Sequence, residues 1–134
     1  MEQNGAYLTT GLKNSMIFLF IIFISHWYLS LFVQTFFLHR YASHQMFKMH
    51  PITEKVFFIL TWIAQGSSFL HPAAYALMHR KHHEHSDTDK DPHSPVSFNN
   101  WFKFMYKTRD EYASFIDKVN DGDYKDKSLP RWPL

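Results

Sequence analysis

The sequence contains no cysteine in its 134 residues. This absence excludes disulfide scaffolds, thiolate zinc sites and cysteine-ligated iron–sulfur clusters, so any metal must be held by nitrogen or oxygen ligands. Glycine is scarce, with four residues, and the chain has neither a glycine-rich phosphate loop nor a serine nucleophile elbow. The net charge is only +2 with histidine neutral, so the composition does not call for a nucleic-acid partner.

Long apolar runs are abundant in a chain whose length predicts one domain at most. The run from Met16 to Leu38 has no charged side chain. As a helix it would be ~34 Å long, enough to cross a hydrocarbon core of ~30 Å. We therefore predict a transmembrane helix over residues 15–38. A signal peptide is disfavoured because its apolar core is shorter and small residues mark its cleavage site.

Residues 56–78 form a second uncharged stretch, but a Gln-Gly-Ser-Ser sequence and a later His-Pro pair interrupt it. Twenty-three residues cannot cross a bilayer twice as helices. If His44 and His79 serve one metal site, this segment must be re-entrant or interfacial, with a break near Gln65 to Ser68 or at Pro72. A plain second span, with histidines on opposite faces, is the alternative.

The charges that flank the first apolar run predict its orientation. The loop after it carries Arg40, Lys48 and Lys55 against one acidic residue, whereas the preceding segment carries little charge. By the positive-inside tendency, we expect the His39 end of this run on the cytoplasmic face, together with the two histidine clusters at residues 39–44 and 79–83.

Apolar residues over residues 97–120 recur at offsets of three and four, which indicates amphipathic helices. The first group is Phe98, Trp101, Phe102, Met105 and Tyr106, and the second is Tyr112, Phe115, Ile116 and Val119. These helices would lie on the bilayer surface or pack on the rest of the domain. The predicted fold class is thus an all-α, integral membrane helical protein with interfacial amphipathic helices.

Two histidine clusters predict a metal centre, because neutral imidazole is the commonest nitrogen ligand for zinc, copper and iron. On a helix, His79, His82 and His83 fit within an arc of ~100° and aim at one point. His39 and His44 would diverge by ~140° on one α-helix, so we expect the helix to end or bend between them.

The remaining histidines are interpreted as structural: His26 in the first span, His50 and His71 before prolines, His85 away from the cluster face, and His93 in a turn. Asp87, Asp89 and Asp91 alternate as in a calcium loop, but the glycine and closing glutamate of an EF-hand are missing. Such carboxylates could instead orient ligand imidazoles.

The histidine clusters resemble motifs of a known family. Residues 39–44 (HRYASH) look like the first histidine box, HxxxxH, of membrane fatty acid desaturases of the acyl-CoA desaturase type. Residues 79–83 (HRKHH) look like the second box, HxxHH, and residues 86–95 (SDTDKDPHSP) are similar to the stretch that follows it. The similarity runs from about Ile24 to Trp101.

This resemblance implies a di-iron centre that uses O2 to remove two hydrogens from an acyl chain, leaving a cis double bond. It implies a fatty acyl-CoA or acyl-lipid substrate and an electron donor such as a ferredoxin or cytochrome b5. The iron ligands implied by matching position are His39, His44, His79, His82 and His83.

The chain departs from the family pattern because no histidine follows His93, whereas the family has a third box of HxxHH form further along. We therefore expect a partial desaturase domain over residues 1–134, inactive alone. Two alternatives remain open: a related membrane di-iron hydroxylase, and a non-catalytic membrane protein that binds metal.

Overall fold

The computed structural model describes residues 2–98, 100–123 and 129–130, and within them the chain is helical and has no strand. This confirms the all-α class. The elements are α1 (Glu2–Val33), a π-helical segment (Gln34–Ser43), α2 (Pro51–Gln65), a 3-10 turn (Gly66–Ser68), α3 (Pro72–His85), a second 3-10 turn (Pro95–Ser97) and α4 (Trp101–Asn120).

Helix α1 continues into the π segment without a break, and Gly11–Ser43 is long and apolar enough to cross a membrane. Large apolar side chains from Met16 to Phe32 are exposed around this helix. A helix that is apolar on all sides suits a lipid surrounding rather than water. The predicted span over residues 15–38 lies inside this helix.

The second uncharged stretch is interrupted where the sequence predicted. Helix α2 begins at Pro51, with the His50 ring capping its first turn, and stops before Gly66, whose φ of +52° suits glycine. Helix α3 then begins at Pro72, where the fixed φ of proline favours a first helical position. Both histidine clusters consequently lie at one end of the molecule, as the re-entrant hypothesis requires.

Helix α3 lies between the π segment and α4 and supplies three of the seven buried residues of their shared core. Its Ala73, Ala74 and Ala76 are buried, together with Ala42 of the π segment and Phe115, Val119 and Leu129. Alanine adds little width, so the helix backbones can approach closely. The core therefore holds the helix that carries the second histidine cluster against the one that carries the first.

The two apolar patterns predicted over residues 97–120 belong, apart from Phe98, to one helix, α4, which begins at Trp101 rather than at residue 97. The Asn100 side chain sets this start by accepting from the N–H groups of Phe102 and Lys103. The first group of apolar residues is largely exposed, whereas Phe115 and Val119 of the second face the core.

Candidate metal centre

Four histidines converge at the junction of the π segment and α3. The Nε2 atoms of His39 and His44 are 3.2 Å apart, those of His44 and His79 are 3.1 Å apart, and those of His79 and His83 are 3.0 Å apart. One ring nitrogen from each of the four lies within 4.8 Å of the others. The structure thus joins two histidines from each predicted cluster into one set of nitrogen donors.

The π segment explains how His39 and His44 can face one point. The backbone N–H of His44 donates to the carbonyl of His39 at 3.0 Å, an i→i+5 bond that widens the helical turn. The helix ends at Ser43, so the expected departure from α geometry occurs between the two histidines. Widening and termination together remove the divergence of ~140° that a regular α-helix would impose.

Helix α3 supplies the other two donors from successive turns. His79 and His83 are four residues apart, the spacing that stacks side chains on one helix face. The ring of Tyr75, one turn earlier, stacks on His79 with centroids 5.6 Å apart. Sequence reasoning missed Tyr75, although its offset of four from His79 is a readable signal.

Three of the separations among these nitrogens match those between adjacent ligands of one metal ion. Nitrogen ligands about 2.1 Å from one ion lie roughly 3.0–3.4 Å apart when adjacent, across octahedral and tetrahedral geometry. The three observed separations of 3.0–3.2 Å fall in this interval. A set of imidazoles suits iron or zinc and does not by itself select between them.

The environment keeps the imidazoles of His44 and His79 in the form that binds metal. Burial, together with nearby His39 and His83, lowers the pKa of His79 to about 4. Burial and the same two neighbours also lower the pKa of His44 below its usual value. Both rings are therefore neutral at pH 7, and a neutral imidazole has the free electron pair that ligation requires.

His82 lies beside this set, not within it. Its Nδ1 atom is 2.8 and 2.9 Å from the two carboxylate oxygens of Asp91, and its ring centre is 5.7 Å from that of His83. Of the three histidines expected on one face, the structure brings two to the common point and directs the third towards Asp91. Whether His82 binds metal through Nε2 stays a prediction.

Asp91 is the buried carboxylate that orients His82, the role that the sequence suggested for an acidic residue of this loop. It is 2% exposed and also accepts from the backbone N–H groups of Asp87 and His93. Burial opposes ionisation, but the hydrogen bonds from His82, His93 and Asp87 outweigh it and hold the pKa of Asp91 below its usual value. A carboxylate on one ring nitrogen leaves the other free to ligate.

The histidines interpreted as structural lie outside the four-donor set. His93 follows Asp91 in a turn, and its Nδ1 is 3.3 Å from the Thr108 hydroxyl. His50 and His71 precede the first residues of α2 and α3. His26 is exposed on α1, and His85 lies 4.0 Å from Glu84.

A cavity of about 560 Å³ adjoins the centre. His79 and His82 form part of its wall, and most of the remaining lining is apolar. The lining is Gln34, Leu70, Tyr75, Met78, His79, His82, His93, Met105, Thr108, Arg109 and Tyr112. The exposed surface of this cavity is mainly apolar, although the side chains of Gln34, Thr108 and Arg109 also line it.

Comparison with known proteins gives one consistent result. The chain is 36% identical over 73 residues to Delta-9 desaturase-like 3 protein of Arabidopsis thaliana, covering 54% of this chain and 23% of that protein. It is 37% identical over 75 residues to hex-5-enoyl-[acyl-carrier protein] acetylenase of Moorena producens, covering 55% and 22%. It is 37% identical over 68 residues to palmitoyl-monogalactosyldiacylglycerol delta-7 desaturase, chloroplastic, of Arabidopsis thaliana, covering 50% and 17%.

Each match spans less than a quarter of the relative's own length. No solved structure matches the chain. The sequence model of the fatty acid desaturase family matches residues 13–116, which include both histidine clusters and the helices that carry them. The chain belongs to the fatty acid desaturase family.

Proposed function

We propose that the chain forms the part of an O2-dependent fatty acyl desaturase that carries its first two histidine boxes. His39, His44, His79, His82 and His83 are the proposed iron ligands. The observation that carries this proposal is the convergence of four imidazole nitrogens from two separate helices. Iron bound there would supply the O2 chemistry that converts a saturated acyl segment to a cis double bond, within the di-iron centre that the family implies.

The cavity beside the centre is the proposed seat of the acyl chain. Leu70, Met78 and Met105 offer apolar walls, which bind methylene groups by excluding water rather than by hydrogen bonding. Removing hydrogen from an unactivated chain requires a site that is shaped to the chain and excludes water, because water permits side reactions. Because His79 and His82 line this cavity, an acyl chain bound there would lie beside two of the proposed ligands.

The proposed substrate is a fatty acyl-CoA or acyl-lipid, and the proposed electron donor is a ferredoxin or cytochrome b5. The names of two relatives, which mention a palmitoyl lipid and an acyl-carrier protein, support an acyl group as the common element. We place α1 across a membrane, with the histidines at its cytoplasmic face, on the basis of its apolar surface and the basic loop after it.

We further propose that this chain alone does not desaturate. Five candidate histidine ligands are too few to fill the coordination of two iron ions. Cells that express the chain should show no new unsaturated acyl group by lipid analysis. A hydroxylated product would instead favour a membrane di-iron hydroxylase.

Metal binding tests the proposed centre directly. Anaerobic titration of the purified chain with Fe²⁺ or Co²⁺ should show binding that His79→Ala weakens roughly a hundredfold. His82→Ala should change the first binding event by less than about threefold, since His82 lies outside the four-donor set. His26→Ala is the control and should have no effect.

Tight binding of one zinc ion with no uptake of iron would favour the non-catalytic alternative. Equal loss of affinity in His79→Ala and His26→Ala would contradict the proposed ligand set.

A further inference from the structure

The carbonyl groups at the end of the π segment accept hydrogen bonds from two sources. The carbonyls of residues 39–41 accept from the backbone N–H groups of residues 44–46 at 3.0–3.1 Å. The carbonyl of Ser43 accepts from Arg80 Nε at 2.7 Å, and that of Ala42 accepts from a terminal nitrogen of the same guanidinium at 2.9 Å. One side chain of α3 thus satisfies the last two carbonyls of the helix that carries the first histidine cluster.

The carbonyls of Ala42 and Ser43 lie at a buried helix end, where a hydrogen-bond donor from another helix is needed most. Ala42 and Ser43 are buried, and the carbonyl groups at the end of a helix lack partners within the helix. Without Arg80, the two groups would lose hydrogen bonds in a region with little access to water. A cation also suits this position, because the C-terminal end of a helix carries partial negative charge.

The Arg80 guanidinium links the two segments that carry the four-donor set, the π segment and α3. Its acceptors lie between His39 and His44 in the sequence, and Arg80 itself directly follows His79. The buried apolar side chains at this junction include Ala42 of the π segment and the alanines of α3. Apolar contacts of small residues are non-directional and allow sliding, whereas two hydrogen bonds from a planar fork fix one register.

We propose that Arg80 is the positioning residue of the metal centre: its fork to the carbonyls of Ala42 and Ser43 sets the separation of His44 and His79. A metal site requires its ligands to be held within about 0.5 Å of their working geometry. A hydrogen-exchange test of this role does not depend on metal, and only the Co²⁺-binding test rests on the proposed function.

Hydrogen exchange of the metal-free chain in lipid nanodiscs tests the contact itself. In Arg80→Ala, the amides of residues 44–46 should exchange at least about tenfold faster, because the end of the π segment opens more readily. Lys81→Ala is the matched control, since Lys81 pairs with Glu111 on α4 at 3.1 Å and should leave these amides unchanged. Unchanged exchange in Arg80→Ala would overturn the proposal whether or not the chain binds metal.

Cobalt binding tests the consequence for the ligands. Arg80→Ala should weaken Co²⁺ binding by about tenfold or more and reduce the intensity of the visible Co²⁺ bands, as loss of an outer positioning group does. Arg80→Lys should fall between, because an ammonium group lacks the planar fork. Lys81→Ala should match the parent chain.

A merely structural Arg80 would give a different result. The melting temperature of the metal-free chain would fall, while the folded fraction would bind Co²⁺ with the parent affinity and spectrum, and this outcome would refute the positioning role. Failure of the parent chain to bind Co²⁺ would contradict the metal centre alone, and the exchange test would still decide the role of Arg80.

Discussion

At the scale of single residues, Asp91 combines burial with a full set of donors. Its two oxygens accept hydrogen bonds from the ring of His82 and from the backbone N–H groups of Asp87 and His93. The same carboxylate therefore closes its own loop and orients a proposed iron ligand. Removing one acceptor from such a group is costly, because the donors around it have little access to water.

Asp91→Asn is expected to destabilise the chain by about 1–3 kcal/mol, since an amide presents one acceptor oxygen and turns N–H towards an existing donor. The free energy of unfolding in detergent micelles measures this cost. Nitrogen NMR of His82 should also show its proton leaving Nδ1 for a mixture of both ring positions. Asp89→Asn, at an exposed position of the same loop, is the control. Equal behaviour of the two variants would contradict the orienting role of Asp91.

The histidines show which residue-level features a sequence can predict. Helical spacing predicted that His79, His82 and His83 share one face, because a helix converts sequence offsets into directions, whereas His39 and His44 required a departure from α geometry. It could not place the ring of His82, whose orientation depends on Asp91 nine residues later. It also could not find Arg80, because its acceptors are backbone carbonyls far away in the chain and carbonyl groups leave no mark in a sequence.

At the scale of elements, the π segment is the feature that residue spacing could not predict. A periodicity of 3.6 residues predicted only that regular geometry must fail between His39 and His44. The chain meets this requirement by an i→i+5 bond followed by termination at Ser43. Choosing between a wider turn and a simple break depends on packing and on the Arg80 fork, both of which are tertiary. By contrast, Gly66 and Pro72 are local signals, and they located the break between α2 and α3.

The Tyr112 hydroxyl of α4 forms a hydrogen bond with the start of α3. The backbone N–H of His71 donates to the Tyr112 hydroxyl at 2.7 Å, across 41 residues of sequence. Tyr112→Phe removes this acceptor and should lower the free energy of unfolding by about 1–2 kcal/mol. Tyr106→Phe, on the exposed part of α4, should change it by less than about 0.5 kcal/mol. Thermal unfolding in micelles measures both, and an equal loss would show that the hydroxyl bond carries no stability.

At the scale of the whole molecule, the histidines, the cavity and the end of the long apolar helix all lie together. The break between α2 and α3 makes this possible, because it returns the chain to the side from which α2 began. The π segment and α3 then direct their histidines to one point. In a bilayer, this arrangement would hold the centre near the interface, with the apolar cavity beside it.

The path of the chain through the bilayer can be tested with single cysteines, because the native sequence has none. The side of the membrane on which the N-terminal flank lies is reported by Asn4→Cys. The sides on which the two ends of the interrupted segment lie are reported by Lys48→Cys and Glu84→Cys. A membrane-impermeant maleimide should label Asn4→Cys in intact cells, whereas the other two should react only after the inner face is opened, since basic residues stay in the cytoplasm.

Opposite accessibility of Lys48→Cys and Glu84→Cys would instead show a plain second span. That topology would separate His44 from His79 and refute the shared metal centre. Labelling of both from outside would keep the centre and reverse its orientation. Detergent-permeabilised membranes, in which all three cysteines should react, provide the control for chemical access.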